Sequence, residues 1–344
     1  MLSDAFYETP MGRAYCGDAL RLLQATPAGS VDLVMTSPPY ALHIKKAYGN
    51  ASPEEYVAWF LPFAREIKRV LKPDGSFVLN IGGSWTPKQP TRSLYHFRLL
   101  IALCDTLGYH LAQEFFWYNP AKMPAPAEWV TVRRVRVKDS VEYLFWLAPG
   151  PTPRADNTRV LTAYSKEMQR LRRRVLERTM RPSGHKIRES FKNDNGGAIP
   201  SNLLQGGNNE ASTLYFRGCK ALGMKPHPAR FPALLPKFFT EFLTEPGELV
   251  LDPFAGSNTT GIEAEKLGRR WMAFEENQEY LEGSKLRFWP ALAEEAIARS
   301  RGEAPGAKVT KTQVREKASV SGAPRGAEKA QPARASQGKL FGEG

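Results

Sequence analysis

Apolar side chains in this chain fall into short runs punctuated by proline and glycine, alternating with amphipathic stretches. Residues 31–36, VDLVMT, make a run of strand length that stops at two consecutive prolines, so the chain must turn there. Ser52 as N-cap, Pro53 and acids in the first turn, and Lys/Arg ahead of Pro73-Asp74-Gly75 predict a helix across 52–74, with a bend at Pro62. Gly75 opens a buried strand, residues 97–107 look helical, and 110–118 and 140–147 are aromatic-rich strands. Farther on, residues 232–245 form a helix closed by Pro246-Gly247, 248–252 a strand, and 259–267 a helix whose Gly268 suits a left-handed cap. A strand at 270–275 and a helix at 278–287 follow. Strands alternating with helices at this spacing predict an α/β fold, a doubly wound, mostly parallel sheet covered on both faces.

Composition sharpens that picture. The 344 residues allow about two domains. At 42% apolar the chain is too hydrophobic to be wholly disordered, and at net +13 it is too basic for a neutral metabolic enzyme. A phosphate-rich partner is the first expectation. The excess is local: residues 122–192 hold 17 Lys and Arg against 7 Asp and Glu, a net of +10. From residue 299 onward there are 10 basic and 4 acidic residues among Ala, Gly, Ser, Pro and Gln, a composition too poor in large apolar side chains to order itself. Cys16, Cys104 and Cys219 are isolated and odd in number, and the five histidines lack ligand spacing, so neither a disulfide framework nor a metal site is expected. No run of about 18 apolar residues and no signal-peptide pattern is present, which points away from membranes and secretion, and the scattered cysteines fit a reducing cytoplasm.

Two loops carry candidate chemistry. Asp252-Pro253-Phe254-Ala255-Gly256-Ser257-Asn258-Thr259-Thr260 joins a strand to a helix through small residues, where backbone N–H groups and the helix N-terminus can meet the polar end of a ligand. Glu275 closes the next strand, 19 residues after Gly256, the placement of an acid that accepts ribose hydroxyls. A single glycine where a dinucleotide fingerprint needs three, and no GK[ST], disfavour NAD and ATP. The other loop, Thr36-Ser37-Pro38-Pro39-Tyr40, ends a strand. Its prolines fix the backbone, leaving the Ser37 hydroxyl and Pro38 carbonyl as preset acceptors beside the flat Tyr40 ring. Taken alone it could equally be a proline-rich loop around a buried tyrosine.

TSPPY followed some 210 residues later by DPFAGSNTT resembles the β class of amino-methylating DNA methyltransferases, with Gly17-Asp18 and the HPARFP element at 227–232 as further matches. The likeness spans about 1–121 and 216–290 and departs from the family at Asn258, where glycine is usual; Asn tolerates left-handed backbone almost as well. It implies a seven-stranded class I S-adenosylmethionine-dependent methyltransferase sheet in four segments: a catalytic half at 1–121, a basic target-recognition insertion at 122–215, a cofactor-binding half at 216–298 and a disordered tail at 299–344. S-adenosylmethionine is the implied cofactor. Phe254 would line the adenosyl pocket, Asp252 and the 256–260 turn the methionine moiety, Glu275 the ribose and Asp18 the adenine edge, with Thr36 and a positional His227 nearby. The implied substrate is the N4 amine of a flipped-out cytosine in double-stranded DNA, because serine heads the catalytic motif; adenine N6 is the alternative. Methylation of RNA or of a protein amide, and a non-enzymatic DNA-binding role, are the competing readings. The duplex-sized basic insertion opposes the former and the intact motifs the latter.

Within the insertion, residues 129–139 alternate as an extended strand would, placing Arg134, Arg136 and Lys138 on one face beside Arg133. Helical spacing over 166–181 sets Arg170, Arg174 and Arg178, with Arg173, against an inner face of Met168, Leu171 and Val175. These basic residues are the expected DNA contacts. The Gly/Asn-rich stretch 193–210 either touches DNA or merely connects. A restriction endonuclease is the expected functional partner, and Gln337 to Phe341 resembles peptides that dock sliding clamps.

Overall fold

A computed structural model describes residues 2, 4–41, 51–173, 193–209 and 212–302. In chain order the elements are β1 (Tyr7–Glu8), β2 (Gly12–Cys16), α1 (Ala19–Ala25), β3 (Val31–Thr36), α2 (Tyr56–Val70), β4 (Leu71–Ile81), α3 (Tyr95–Asp105), β5 (His110–Tyr118), β6 (Val141–Ala148), α4 (Lys166–Arg173), β7 (Leu203–Gln205), α5 (Leu214–Ala221), α6 (Leu234–Leu243), β8 (Leu249–Asp252), α7 (Thr259–Lys266), β9 (Arg270–Glu275), α8 (Gln278–Phe288) and α9 (Pro290–Ser300).

They build one nine-stranded sheet in the order β1-β2-β9-β8-β3-β4-β6-β5-β7. Strands β2, β9, β8, β3 and β4 run parallel, and β6 lies antiparallel between β4 and β5. The two strands beyond the seven expected, β1 and β7, are short edge strands. Alternate residues of the buried strands point into two cores. Val31, Val34, Phe77, Leu79 and Phe274 pack against the helices α1 to α3. Leu33, Met35, Val78, Val250 and Ala273 pack against α6, α7 and α8. The sheet is thus covered on both faces, as a parallel sheet requires.

Several expectations shift. Ser52 Oγ accepts from Glu55 N at 3.3 Å, but the helix begins only at Tyr56, and Pro62 is carried inside it. The buried face Tyr56, Phe60, Phe63 and Ile67 outweighs the single backbone bond a proline removes. β4 starts at Leu71 rather than Gly75 because a bulge absorbs Lys72 to Gly75 between the partners of Val31 and Leu33. The segment 122–215 is not a separate insertion: β6 is an inner strand and β7 an edge strand, so this stretch supplies two strands and leaves the sheet only around them. Residues 129–139 are not a strand. Glu128 to Val132 make a helical turn, Arg134 takes φ +55°, and none of these residues joins a strand ladder among the described residues. The expected helix at 166–181 is seen as far as Arg173; Arg174, Arg178, the tail from 303 and its clamp-like peptide lie outside the described residues. No helix among the described residues is long and apolar enough to cross a membrane.

Because β2, β3, β4, β8 and β9 share one direction, the loops leaving their C-terminal ends gather at one edge, where an open α/β sheet forms its ligand crevice.

Candidate active site

At that edge lies a cavity of about 410 Å³, walled on one side by Ser37 to Tyr40 and on the other by Pro253 to Ser257 and Glu275. The structure therefore brings together the two motifs that lie far apart in sequence. Asp18, Thr259 and His227 also line it.

Thr36, Asp252, Asn258 and Thr260 do not face the cavity; they are buried behind it and hold the turn in shape. Asp252 Oδ1 accepts from Thr36 Oγ1 at 2.6 Å and from Phe254 N at 3.1 Å, and Oδ2 accepts from Thr260 Oγ1 at 2.7 Å. Burial pushes its carboxyl up to about 6 despite these three donors. Asp252, expected beside the methionine moiety, therefore bonds to the loop and does not line the cavity. Asn258 occupies the left-handed region at φ +53°, caps α7 by accepting from Gly261 N at 3.0 Å and donates to Tyr7 Oη at 2.9 Å. A glycine there would supply the backbone angle but neither bond.

Glu275 accepts from Gly256 N at 2.8 Å and Asn277 N at 2.9 Å, which ties the turn to the end of β9; burial raises its carboxyl above the usual range. Gly256 has φ +53°, and a Cβ there would come within 3.0 Å of the His227 ring. That ring packs edge-on against Tyr280 and is held neutral, its pKa pushed down to about 4 by burial. Asp18 caps α1, accepting from Arg21 N at 2.8 Å. Phe254 stands with Trp59 and Phe63 in an aromatic wall, ring centroids 6.1 and 5.2 Å away.

On the opposite side, Ser37 Oγ donates to Tyr40 Oη at 3.2 Å, and Tyr40 Oη lies 2.7 Å from Glu142 Oε2 and 3.1 Å from Asn80 Oδ1. Burial, then the Glu142 charge, raises the Tyr40 phenol well above its ordinary value and keeps it protonated. The ring fits only because residue 82 is glycine, where a Cβ would fall 2.5 Å from it. Asn80, Glu142, Lys122, Trp59 and Arg287 were not singled out by sequence reasoning. Glu142 and Asn80 sit inside strands that read as apolar runs, and only the β4–β6 pairing aims them at Tyr40.

The predicted DNA contacts divide. Arg133 pairs with Glu128 at 2.9 Å and lies over the Trp129 ring; Arg136 pairs with Asp139 at 3.3 Å; Lys138 donates to the carbonyls of Pro120 and Lys122. Arg134, Arg170 and Arg173 are exposed and form no ion pair among the described residues. The stretch 193–209 contributes β7, and its Asn208 reaches the cavity, accepting from Asn119 Nδ2 at 3.0 Å.

A doubly wound sheet with a Ser-Pro-Pro-Tyr corner facing a small-residue turn and an acid defines a group-transfer enzyme of the DNA methylase class. The DNA methylase family (N6_N4_Mtase) matches residues 31–286, and the chain belongs to it. It is 50% identical over 285 residues to the type II methyltransferase M.PvuII of Proteus hauseri, covering 82% of this chain and 85% of that protein. It is 26% identical over 287 residues to M.BglII of Bacillus subtilis, covering 82% and 70%. Among solved structures, the PvuII DNA methyltransferase (cytosine-N4-specific) superposes with a TM-score of 0.69 at 42% identity, over 87% of this chain and 96% of that one.

Proposed function

We propose that this chain methylates the N4 amine of cytosine at a specific site in double-stranded DNA, with S-adenosylmethionine as methyl donor. The observation that carries the reading is that one cavity is lined both by Ser37, Pro38 and Tyr40 and by Pro253 to Ser257 with Glu275.

The residues present fit the cofactor. The cavity has the size of a small-molecule site. The Phe254, Trp59 and Phe63 wall would take an adenine ring, Glu275 has carboxylate lone pairs left for ribose hydroxyls, and the turn at 255–259 would hold the amino-acid end. When bound, the cofactor supplies an electrophilic methyl group.

An exocyclic amine inside a duplex cannot enter this cavity, so the base must be extruded, at a cost of a few kcal/mol. Tyr40 offers an aromatic surface that offsets part of it. Ser37 Oγ and the Pro38 carbonyl are the acceptors that would orient the NH₂ group and favour the positive charge growing on its nitrogen. No covalent bond to the protein is needed. Exposed arginines of the 122–173 region would meet phosphates near the cavity mouth, contacts that position the duplex.

Incubation with labelled cofactor and DNA, followed by digestion and mass spectrometry, tests this directly. N4-methylcytosine is expected; N6-methyladenine, or label absent from DNA, overturns it. Ser37→Ala should lose most turnover and keep cofactor affinity. A restriction endonuclease cutting the same DNA site would be the functional partner, tested by protection of modified DNA. Clamp docking by residues 337–341 would be discarded if a 330–344 peptide fails to bind a clamp.

A further inference from the structure

Methylating an aromatic amine leaves a positively charged nitrogen with one proton too many. A serine hydroxyl and a proline carbonyl can orient that proton but are too weakly basic to keep it. The cavity holds a stronger base, joined to Ser37 through Tyr40. Glu142, on β6, is largely buried with 14% of its side chain exposed, yet lines the same cavity on the side away from Glu275. One carboxylate oxygen, Oε1, accepts from Lys122 Nζ at 2.7 Å, which offsets the cost of burying the charge. The other, Oε2, faces Tyr40 Oη at 2.7 Å. Tyr40 Oη has a single proton for two acceptors. The closer Glu142 carboxylate, at 2.7 Å, takes it in preference to Asn80 Oδ1 at 3.1 Å, an amide oxygen fixed by Asn80 Nδ2 donating to the Tyr143 carbonyl. Ser37 Oγ in turn donates to Tyr40 Oη at 3.2 Å. Every donor in this series points from the substrate corner toward the carboxylate.

We propose that Ser37, Tyr40 and Glu142 form a proton relay that ends on the Glu142 carboxylate, an inference that rests on amine methylation as the reaction. As the N–H bond of the methylated amine breaks, its proton passes to Ser37 Oγ, the Ser37 proton to Tyr40 Oη and the Tyr40 proton to Glu142 Oε2. The amine returns to neutrality and the carboxylate becomes a neutral carboxyl. Once product leaves, that carboxyl gives the proton to water and its contact with Lys122 is restored. Glu142 is a positioning residue and proton store that acts through Tyr40. Lys122, 2.7 Å from Oε1, balances its charge before each turnover.

Single-turnover methylation of duplex DNA by the full chain, with calorimetry for the cofactor and a separate DNA-binding measurement, tests the relay. Glu142→Gln is expected to slow transfer about 100-fold while both affinities stay within about twofold, and Glu142→Asp to recover part of the rate. Tyr40→Phe keeps the ring and the carboxylate but breaks the series. It should be similarly slow, and the double variant no slower than the slower single one. A wild-type rate in Glu142→Gln or Tyr40→Phe overturns the relay, as do losses that multiply in the double variant. A Glu142→Gln rate loss matched by lost cofactor affinity makes Glu142 structural, which also overturns it. Tyr40→Phe decides the matter should Glu142→Gln fail to fold. Wild-type protein that methylates no DNA amine fails the functional reading itself, whereas an active wild type with unimpaired variants fails the relay alone.

Discussion

The turn at 252–260 and the basic excursion at 119–140 are both rich in polar side chains, and they use them in opposite ways. In the turn, polar groups face inward and are bound on several sides. Asp252 accepts three hydrogen bonds, Asn258 bridges Gly261 and Tyr7, and Ser257 receives two from Arg287 at 2.8 and 3.0 Å. In the excursion Arg133, Arg134 and Lys138 face outward. Arg133 remains 60% exposed even in its ion pair, Arg134 is exposed, and Val132, Val135 and Val137 are uncovered beside them. Buried, fully bonded groups hold geometry to a fraction of an ångström, as an oriented small molecule demands; exposed arginines can follow the contour of a larger partner.

That contrast is broken most severely at Asp252. Asp252→Ala leaves Thr36 Oγ1, Thr260 Oγ1 and Phe254 N without their acceptor, and each buried donor costs about 1–3 kcal/mol when unmade. Urea denaturation should register a loss of roughly 3 kcal/mol or more, accompanied by loss of cofactor binding. A variant of near wild-type stability would mean the turn is not held by this carboxylate.

How far each region could be read in advance follows the same division. The strand at 270–275 has the bounds its pattern predicts, because a largely buried strand between a glycine and a turn has one arrangement that covers its side chains; the strand at 110–118 also keeps its predicted bounds, though only its second half, from Phe115, is covered. The pairing of TSPPY with DPFAG was legible because both lie at strand ends, and parallel strands place such ends together. Glu142 and Asn80 were not, since their meeting with Tyr40 depends on how β6 inserts beside β4. Alternation at 129–139 misled because period-2 patterning predicts a strand only where a partner edge exists, and the arginines there follow local partners instead.

Proton linkage offers a second probe of the buried side. His227 is neutral when folded, with a pKa pushed down to about 4, so between about 6.5 and 4 the unfolded chain binds a proton that the folded chain does not. Stability is therefore lost as pH falls through that window. Asp252 acts in the opposite sense: with its carboxyl pushed up to about 6, the folded chain binds the extra proton, and stability falls as pH rises toward 6. Comparing wild type with His227→Asn should reveal a difference in slope of up to about 1.4 kcal/mol per pH unit below pH 6.5. Parallel curves would show that the ring is not held neutral. Gly256→Ala is a milder test. The left-handed backbone at φ +53° costs a non-glycine residue about 1–2 kcal/mol, and the new methyl presses on the His227 ring. Cofactor affinity should fall about tenfold or more by calorimetry, with DNA affinity unchanged.

The smallest effects belong to the excursion, where they separate binding from folding. Arg134 is a non-glycine residue at φ +55°, exposed and without an ion pair among the described residues, so its backbone costs stability that its side chain does not return within the chain. Arg136, two positions on, pairs with Asp139, which Arg92 also engages at 2.8 Å, and so pins the excursion to the 85–92 loop. Arg134→Gly relieves the strained angle and should raise stability by about 0.5–1 kcal/mol, while the slope of log affinity against log salt drops by about 0.9 as one phosphate contact is lost. Arg136→Ala should do the reverse, lowering stability by about 1 kcal/mol with the smaller change in salt slope. If both variants lose stability and salt dependence together, the arginines of this segment do not divide into those that fold the loop and those that meet DNA, and the contrast with the cofactor turn fails at this point.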